Sequence, residues 1–332
     1  MRLVIDADPG NGVPFSDVDD GLAIALALAH PAITLEAITI VAGNTARDVG
    51  FAAAEALVAR AGTGTPVIPG ACGPGGTAVD AAIWRDRLDA RRDAPTWRER
   101  YGGDEQLPDA HPAGDDTAAE YLCDLVFSAP GEITIAAIGP LTNIAAAIRR
   151  DPGFARGVAH IAVMGGAFQH DRMPQELNFG YDPDAAHTVL TSGANVSLIP
   201  FDVTARTLLT HERLSTLDDR DPFQAYLKAT TEPWLRFSDE RFALGGCFLH
   251  DPLVVAALID PTLVRWSSVV ADVVLADPIA RGRPVRWDPD GVILGGGSLV
   301  LPDVPAIRVA EDVDAERFAT MLVDGIRAFR VA

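Results

Sequence analysis

Five aspartates stand within the fifteen residues from Asp6 to Asp20: Asp6, Asp8, Asp17, Asp19 and Asp20. Carboxylates this close repel one another unless protons or a cation come between them. Oxygen-only donors suit a hard cation, calcium or magnesium. The flanking sequence says where these groups sit. Residues 2–7 (RLVIDA) read as a short buried strand, and Asp19–His30 (DDGLAIALALAH) as an apolar helix that Pro31 stops. In α/β sheets, ligands bind beyond the carboxyl ends of the strands. Asp6 and Asp8 lie at that end, and Asp19 and Asp20 open the helix. A plainer reading makes Asp17 or Asp19 a helix cap, where the dipole favours negative charge. That accounts for one or two of the five. It does not account for Asp8, set before Pro9-Gly10 after a buried strand.

Composition removes other chemistries. The 332 residues hold 27 Lys and Arg against 46 Asp and Glu, a formal charge of −19. A polyanion is repelled, so nucleic acid is a poor partner. The acidity suits a cation, and solubility alone explains much of it. Lys228 is the only lysine, and no Gly-rich GK[ST] sequence surrounds it, so Schiff-base and P-loop chemistry have no carrier. Cys72, Cys123 and Cys247 are far apart and form no CxxC, and the seven histidines form no HxxxH pair. Neither a disulfide scaffold nor a thiolate zinc site is expected. No apolar run reaches the roughly 18 residues of a membrane span. Asp6 arrives before a signal-peptide apolar region could form. The expectation is a soluble cytoplasmic protein with no membrane partner.

The elements that must position the acids alternate along the chain. After the first helix, 33–41 reads as strand, 45–61 as helix with Gly62 beyond it, and 65–68 as strand. Then come 132–138 (strand), 140–149 (helix), 160–164 (strand), 183–190 (helix) and 195–200 (strand). This rhythm predicts an α/β fold: a mostly parallel central sheet with helices on both faces. Residues 79–115 break it with charge, proline and glycine; a loop of that length is uncommon unless it serves as a lid or binding segment, and a subunit contact or a solvated insertion is the plainer reading. Residues 211–260 read as helical. Stretches such as Ser267–Leu275 and Gly291–Leu294 look β-like, and Glu311–Val331 reads as a terminal helix. No repeat or linker divides the chain, so residues 1–332 are read as a single domain.

VIDADPG (4–10), followed by DVDDGLAIAL (17–26), resembles the N-terminal signature of the inosine–uridine preferring nucleoside hydrolases. That signature runs Asp-x-Asp-Pro-Gly-x-Asp-Asp before an apolar helix. The spacing here departs from it, because Asn11–Val18 make the gap about seven residues longer. An insertion in a Gly/Pro-rich loop costs little closure entropy, so both ends can still meet one ion. Five further segments resemble the family in order: IVAGNT (40–45), AAIGPLTNIA (136–145), VMGGAF (163–168), ELNFGYDPDAA (176–186) and FLHDPLVVA (248–256).

The resemblance implies a nucleoside-hydrolase-like open sheet, one calcium per chain, and hydrolysis of the N-glycosidic bond of a small-molecule ribonucleoside. It also suggests a homodimer or homotetramer, by analogy only. Such a cleavage passes through an oxocarbenium-like sugar. It needs an activated water, a holder for the ribose hydroxyls and help for the departing base. A metal lowers the pKa of its water, and a carboxylate takes the proton. By resemblance Asp8 is that base and a metal ligand. Asp20 and Asp251 are further ligands, and Ile138 offers its backbone carbonyl. Asp19 grips ribose hydroxyls, Asn44, Glu176 and Asn178 are sugar-binding positions, and Met164 packs under the ribose. Asp6 buttresses the loop. His250 is the candidate proton donor to the base, with Trp234, Phe237 and Phe242 nearby.

Plainer roles exist for several of these. Asp251-Pro252 is one of eight Asp-Pro pairs, and Asp as N-cap with Pro at N1 is an ordinary helix start. Asn44 suits a helix cap, Met164 a core, His250 a structural site, and an aromatic stripe a helix's buried face. Two other functions stand beside hydrolysis. A haloacid-dehalogenase-type phosphatase also starts with Asp-x-Asp, but it has Gly where Pro9 stands and needs a downstream lysine. A nucleoside-binding protein of the same fold without activity draws its support from the insertion.

Overall fold

A computed structural model describes residues 1–74, 95–102, 112–169, 175–289, 293–294, 297–298 and 304–331. The strands in chain order are β1 (Arg2–Ala7), β2 (Thr34–Ile40), β3 (Val67–Pro69), β4 (Ile133–Ala137), β5 (His160–Met164) and β6 (Val196–Ile199). There follow β7 (Leu208–Thr210), β8 (Gly246–Phe248), β9 (Val264–Val273), β10 (Pro284–Trp287), β11 (Ile293–Leu294), β12 (Gly297–Ser298) and β13 (Ile307–Val313). Nine of them form one sheet in the order β10-β9-β13-β6-β5-β4-β1-β2-β3. From β3 across to β13 every pairing is parallel. Only β9 and β10, at one edge, add antiparallel pairs.

The order fixes the crevice. The chain builds β1, β2 and β3 outward to one side, then returns to lay β4 on the other flank of β1. Such a reversal leaves a gap beyond the carboxyl ends of the two central strands, where ligands bind in doubly wound sheets. The register keeps those ends level, with Ala7 opposite Ile40 and Asp6 opposite Ala137. Asp8, Gly43-Asn44 and Ile138 therefore emerge side by side.

Alternate residues of the central strands feed two cores, as a period of two demands. Leu3, Ile5 and Ala7 join one with Ala162 and Met164, while Val4, Ile135, Ile161 and Val163 join the other. The first core is closed by helices Asp19–Ala29, Arg47–Ala61, Pro222–Phe242, Asp251–Ile259 and Ala315–Ala328. The second is closed by Ala118–Ser128, Thr142–Arg150 and Pro183–Leu190. Helices thus cover both faces. Residues 19–27 of the first helix are all buried, which is why it reads as apolar on every side.

Some elements depart from what the sequence pattern predicts. The strand after 310 runs on to Val313, so the terminal helix starts at Ala315 rather than Glu311. Pairing with β9 overrides helical propensity there. The helical stretch 211–260 is interrupted by β8, which pairs with β7. Of residues 79–115, Pro95–Tyr101 form a helix, while 79–94 and 103–111 lie outside the described residues. Among the described residues no helix is long and apolar enough to cross a membrane.

His160 opens β5 at the end of the sheet away from the acids. Its Nε2 lies 2.8 Å from Ser197 Oγ and 3.3 Å from Arg308 Nη2. Burial, then the Arg308 charge, push its pKa down to about 4. An unfolded imidazole titrates near 6.5. Between those values the unfolded chain binds a proton that the fold refuses, so stability falls as pH drops through the window, by up to about 3 kcal/mol. His160→Gln should remove that share. Urea unfolding at pH 7 and pH 4 should show a smaller acid loss in the variant, and equal losses would exclude His160 as the cause.

Candidate active site

Asp6 is fully buried behind the crevice. Its Oδ1 accepts from Thr39 Oγ1 at 2.5 Å and from Asn143 Nδ2 at 2.7 Å. Asn143 in turn accepts the Ala71 N–H at 2.8 Å and donates to the Ile40 carbonyl at 3.2 Å. One aspartate so ties β1, β2 and the helix Thr142–Arg150 together. Burial pushes its carboxyl up to about 7.

Asp8 follows at the strand end, nearly fully buried. Its backbone N–H donates to Asp20 Oδ1 at 3.0 Å, and its Oδ2 accepts the Asn44 N–H at 2.5 Å. Two bare backbones press on this carboxylate. A Cβ on Gly43 would stand 2.1 Å from Asp8 Oδ2, and one on Gly139 would stand 2.9 Å from Oδ1. Only glycine permits that approach from the loops after β2 and β4.

Asp19 and Asp20 form the first turn of the helix Asp19–Ala29. The N-cap position of that helix is Val18, which makes no side-chain bond. The Asp17 carboxyl accepts the Val18 N–H at 2.7 Å and also bonds the backbone N–H of Asp19. Asp19 instead reaches a second helix. Its Oδ2 accepts the N–H groups of His250 and Asp251 at 2.9 and 3.0 Å. The N-termini of helices Asp19–Ala29 and Asp251–Ile259 therefore converge, and their positive dipole ends face the acids. One oxygen each of Asp19, Asp20 and Asp251 comes within 4.8 Å of the others. Burial first, and the neighbouring carboxylates second, push Asp20 and Asp251 far above the ordinary range and Asp8 up to about 7.

These acids floor a cavity of about 190 Å³. Asn44, Ile138, Met164, Glu176, Asn178 and His250 line it as well, so nearly all the expected residues come together. Glu176 caps the short helix Leu177–Tyr181, and its two oxygens accept N–H groups from Gly166, Asn178 and Phe179 at 2.7, 2.7 and 3.1 Å. Asn178 Nδ2 donates to the carbonyls of Ile138 and Met164 at 2.8 and 3.1 Å. The Ile138 carbonyl keeps a second lone pair. His250 has Nδ1 2.7 Å from Thr204 Oγ1, and its ring stacks on Phe201 at 5.2 Å. Burial lowers its pKa, with Asp19 opposing, so the neutral ring is favoured.

Trp234 and Phe237, expected beside a base, do not line the cavity. Their rings pack on each other at 5.2 Å, and Phe237 meets Trp97, Tyr101 and Phe15 at 5.1, 5.6 and 5.9 Å. Phe242 is 54% exposed. The wall gains Phe201, Leu177 and Asp17 instead. Phe201 lies two residues beyond the end of β6, and the rule that places ligands beyond strand ends could have found it.

The fold is shared by solved nucleoside hydrolases. A plant nucleoside hydrolase aligns at TM-score 0.81 and 30% identity, covering 98% of this chain and 99% of that one. A purine-preferring ribonucleoside hydrolase from Gardnerella vaginalis aligns at TM-score 0.81 and 28% identity, over 100% of each. Fold and site define a nucleoside-hydrolase-type enzyme. The family model of the inosine-uridine preferring nucleoside hydrolases matches residues 3–320, and the chain belongs to that family. A probable uridine nucleosidase of Oryza sativa subsp. japonica is 33% identical over 282 residues, 82% of this chain and 81% of its own length. The phosphatase reading falls.

The position of Asp8 rests on the bare backbone at Gly43. Gly43→Ala should displace it. Turnover should fall by about 100-fold or more, since a shift near 1 Å at a reacting group is that costly. Circular dichroism should stay native. A variant of near wild-type activity would show that Gly43 does not set this carboxylate.

Proposed function

We propose that the chain hydrolyses the N-glycosidic bond of ribonucleosides to ribose and free base, using one calcium ion per chain and Asp8 as general base. The observation that carries this reading is the convergence of Asp8, Asp19, Asp20 and Asp251 beneath one cavity, buried and, among the described residues, without a Lys or Arg side chain on its wall. Buried like charges of this number need a cation or protons. The donors are all oxygen, which fits calcium. Asp8, Asp20, Asp251 and the Ile138 carbonyl would hold it. Calcium bound there would supply charge that acidifies a water for attack on the sugar.

The chain's own groups do the rest. Asn44 anchors Asp8 through Oδ2, which orients the carboxylate to take the proton of the attacking water. Asp19, held by two backbone N–H groups, accepts from ribose hydroxyls. Asn44, Glu176 and Asn178 add polar contacts from positions already fixed by backbone hydrogen bonds. Such preorganised groups strengthen as the sugar gains positive charge. Met164 closes the pocket beneath the ring. His250, with Nδ1 turned to Thr204, offers Nε2 to the leaving base.

Ribose release from mixed ribonucleosides tests the reading directly. Metal analysis should find about one calcium per chain, and exhaustive chelation should abolish turnover. Asp8→Asn should keep the fold and cut turnover by at least about a thousandfold, near the range of a general-base contribution. Zinc with no calcium, or full activity after chelation, would overturn the metal assignment. Near wild-type turnover in Asp8→Asn would remove the general base.

His250 makes a separate prediction. His250→Ala should slow ribosides with poor leaving bases far more than a p-nitrophenyl riboside, whose leaving group needs no proton. Equal losses on both would assign His250 to the positioning of Asp251.

A further inference from the structure

The family signature places one residue between Pro-Gly and Asp-Asp, where this chain has the eight residues Asn11–Val18. The insertion is not a loose loop. Asn11 is fully buried, and its side chain fills the space beside Gly21, where a Cβ would stand 1.9 Å from Asn11 Oδ1. Phe15 adopts a left-handed φ of 62° and sets its ring 4.5 Å from Trp97. Such a conformation is uncommon for a bulky residue and has to be held by its surroundings. Asn44 then grips Asp17 at two points. Its Oδ1 accepts the Asp17 N–H, and its Nδ2 donates to the Asp17 carbonyl, each at 2.9 Å.

These anchors bring one further acidic residue to the cavity wall. Asp17 lines it beside Asp19, keeping part of its surface open. Burial, then the Asp19 charge, push its carboxyl well up. No step of the proposed reaction uses it. It stands outside the group of Asp19, Asp20 and Asp251 that comes within 4.8 Å.

We infer that Asp17 is a specificity-determining residue, pairing with Asp19 to accept the two secondary hydroxyls of the ribose. This rests on the nucleosidase reading and extends it. Carboxyl oxygens accept hydrogen bonds, and a cis-diol offers two donors on one face of the ring. Two adjacent buried carboxylates repel until donors come between them. The diol meets both needs, and bonds to a charged acceptor are the stronger kind. The insertion therefore makes this pocket stricter for intact ribose than a one-residue spacer would.

Asp17→Asn in the full chain tests it, since the amide keeps the size and the Val18 contact. The Michaelis constant for a ribonucleoside and dissociation constants of its 2′-deoxy and 3′-deoxy counterparts, by calorimetry, are compared with wild type. A bond to a charged acceptor corresponds to about 10- to 100-fold. The ribonucleoside and one deoxy analogue should weaken by that factor. The analogue lacking the hydroxyl that Asp17 reads should not change. Bound calcium should stay constant. Equal weakening of all three ligands, no weakening, or loss of calcium would overturn the inference. A wild type that binds ribonucleosides without cleaving them would sink the nucleosidase reading alone, and three dissociation constants would still decide Asp17. A wild type that binds none would sink both.

Discussion

Carboxylates gathered in one buried crevice push one another apart, and much of the surrounding structure answers that push. Two helices aim their N-termini at the cluster, and Asp19 accepts two backbone N–H groups from the second. Asp8 is pinned by the backbone of Asn44, and Asp20 by that of Asp8. These are main-chain donors, fixed by the elements that carry them. They lower the cost of burying negative charge without neutralising it. What remains is a standing demand for a cation, and it points the reading toward metal-assisted chemistry.

The demand is met by chain segments far apart in sequence. Asp8 comes from β1, Asn44 from beyond β2, Ile138 from beyond β4, Glu176 from beyond β5, and Asp251 from a helix N-terminus. The reversal of strand order around β1 brings the first three level. The packing of helix Asp19–Ala29 against helix Asp251–Ile259 brings the last. Asp6 performs a quieter task, locking strand ends from behind.

Much of this was legible in the sequence, because periodicity and strand ends carry it. The central strands and the helix Pro183–Leu190 follow directly from alternating apolar runs and Asp-Pro caps. The acids and His250 follow from motifs in order. What stayed hidden depends on directions through loops. Nothing in the spacing says that Phe15 bends back to Trp97, or that Phe237 turns to that cluster rather than to the cavity. The β13 extension past Ala310 was missed for a related reason, since its residues become strand only by pairing with β9.

The first helix carries the acids on a rod encased on every side. Leu22, Ile24 and Leu26 have no solvent to lean into, and Ala23, Ala25 and Ala27 leave no slack. A rod so enclosed cannot slide or tilt without disturbing the neighbours that grip it. The separation of the acids at its tip is therefore set by core volume a full helix length away. Bulk added at Ala27 would be felt as a misplaced carboxylate before it was felt as unfolding. In this molecule, packing deep in the interior acts as the gauge for the chemistry at the mouth.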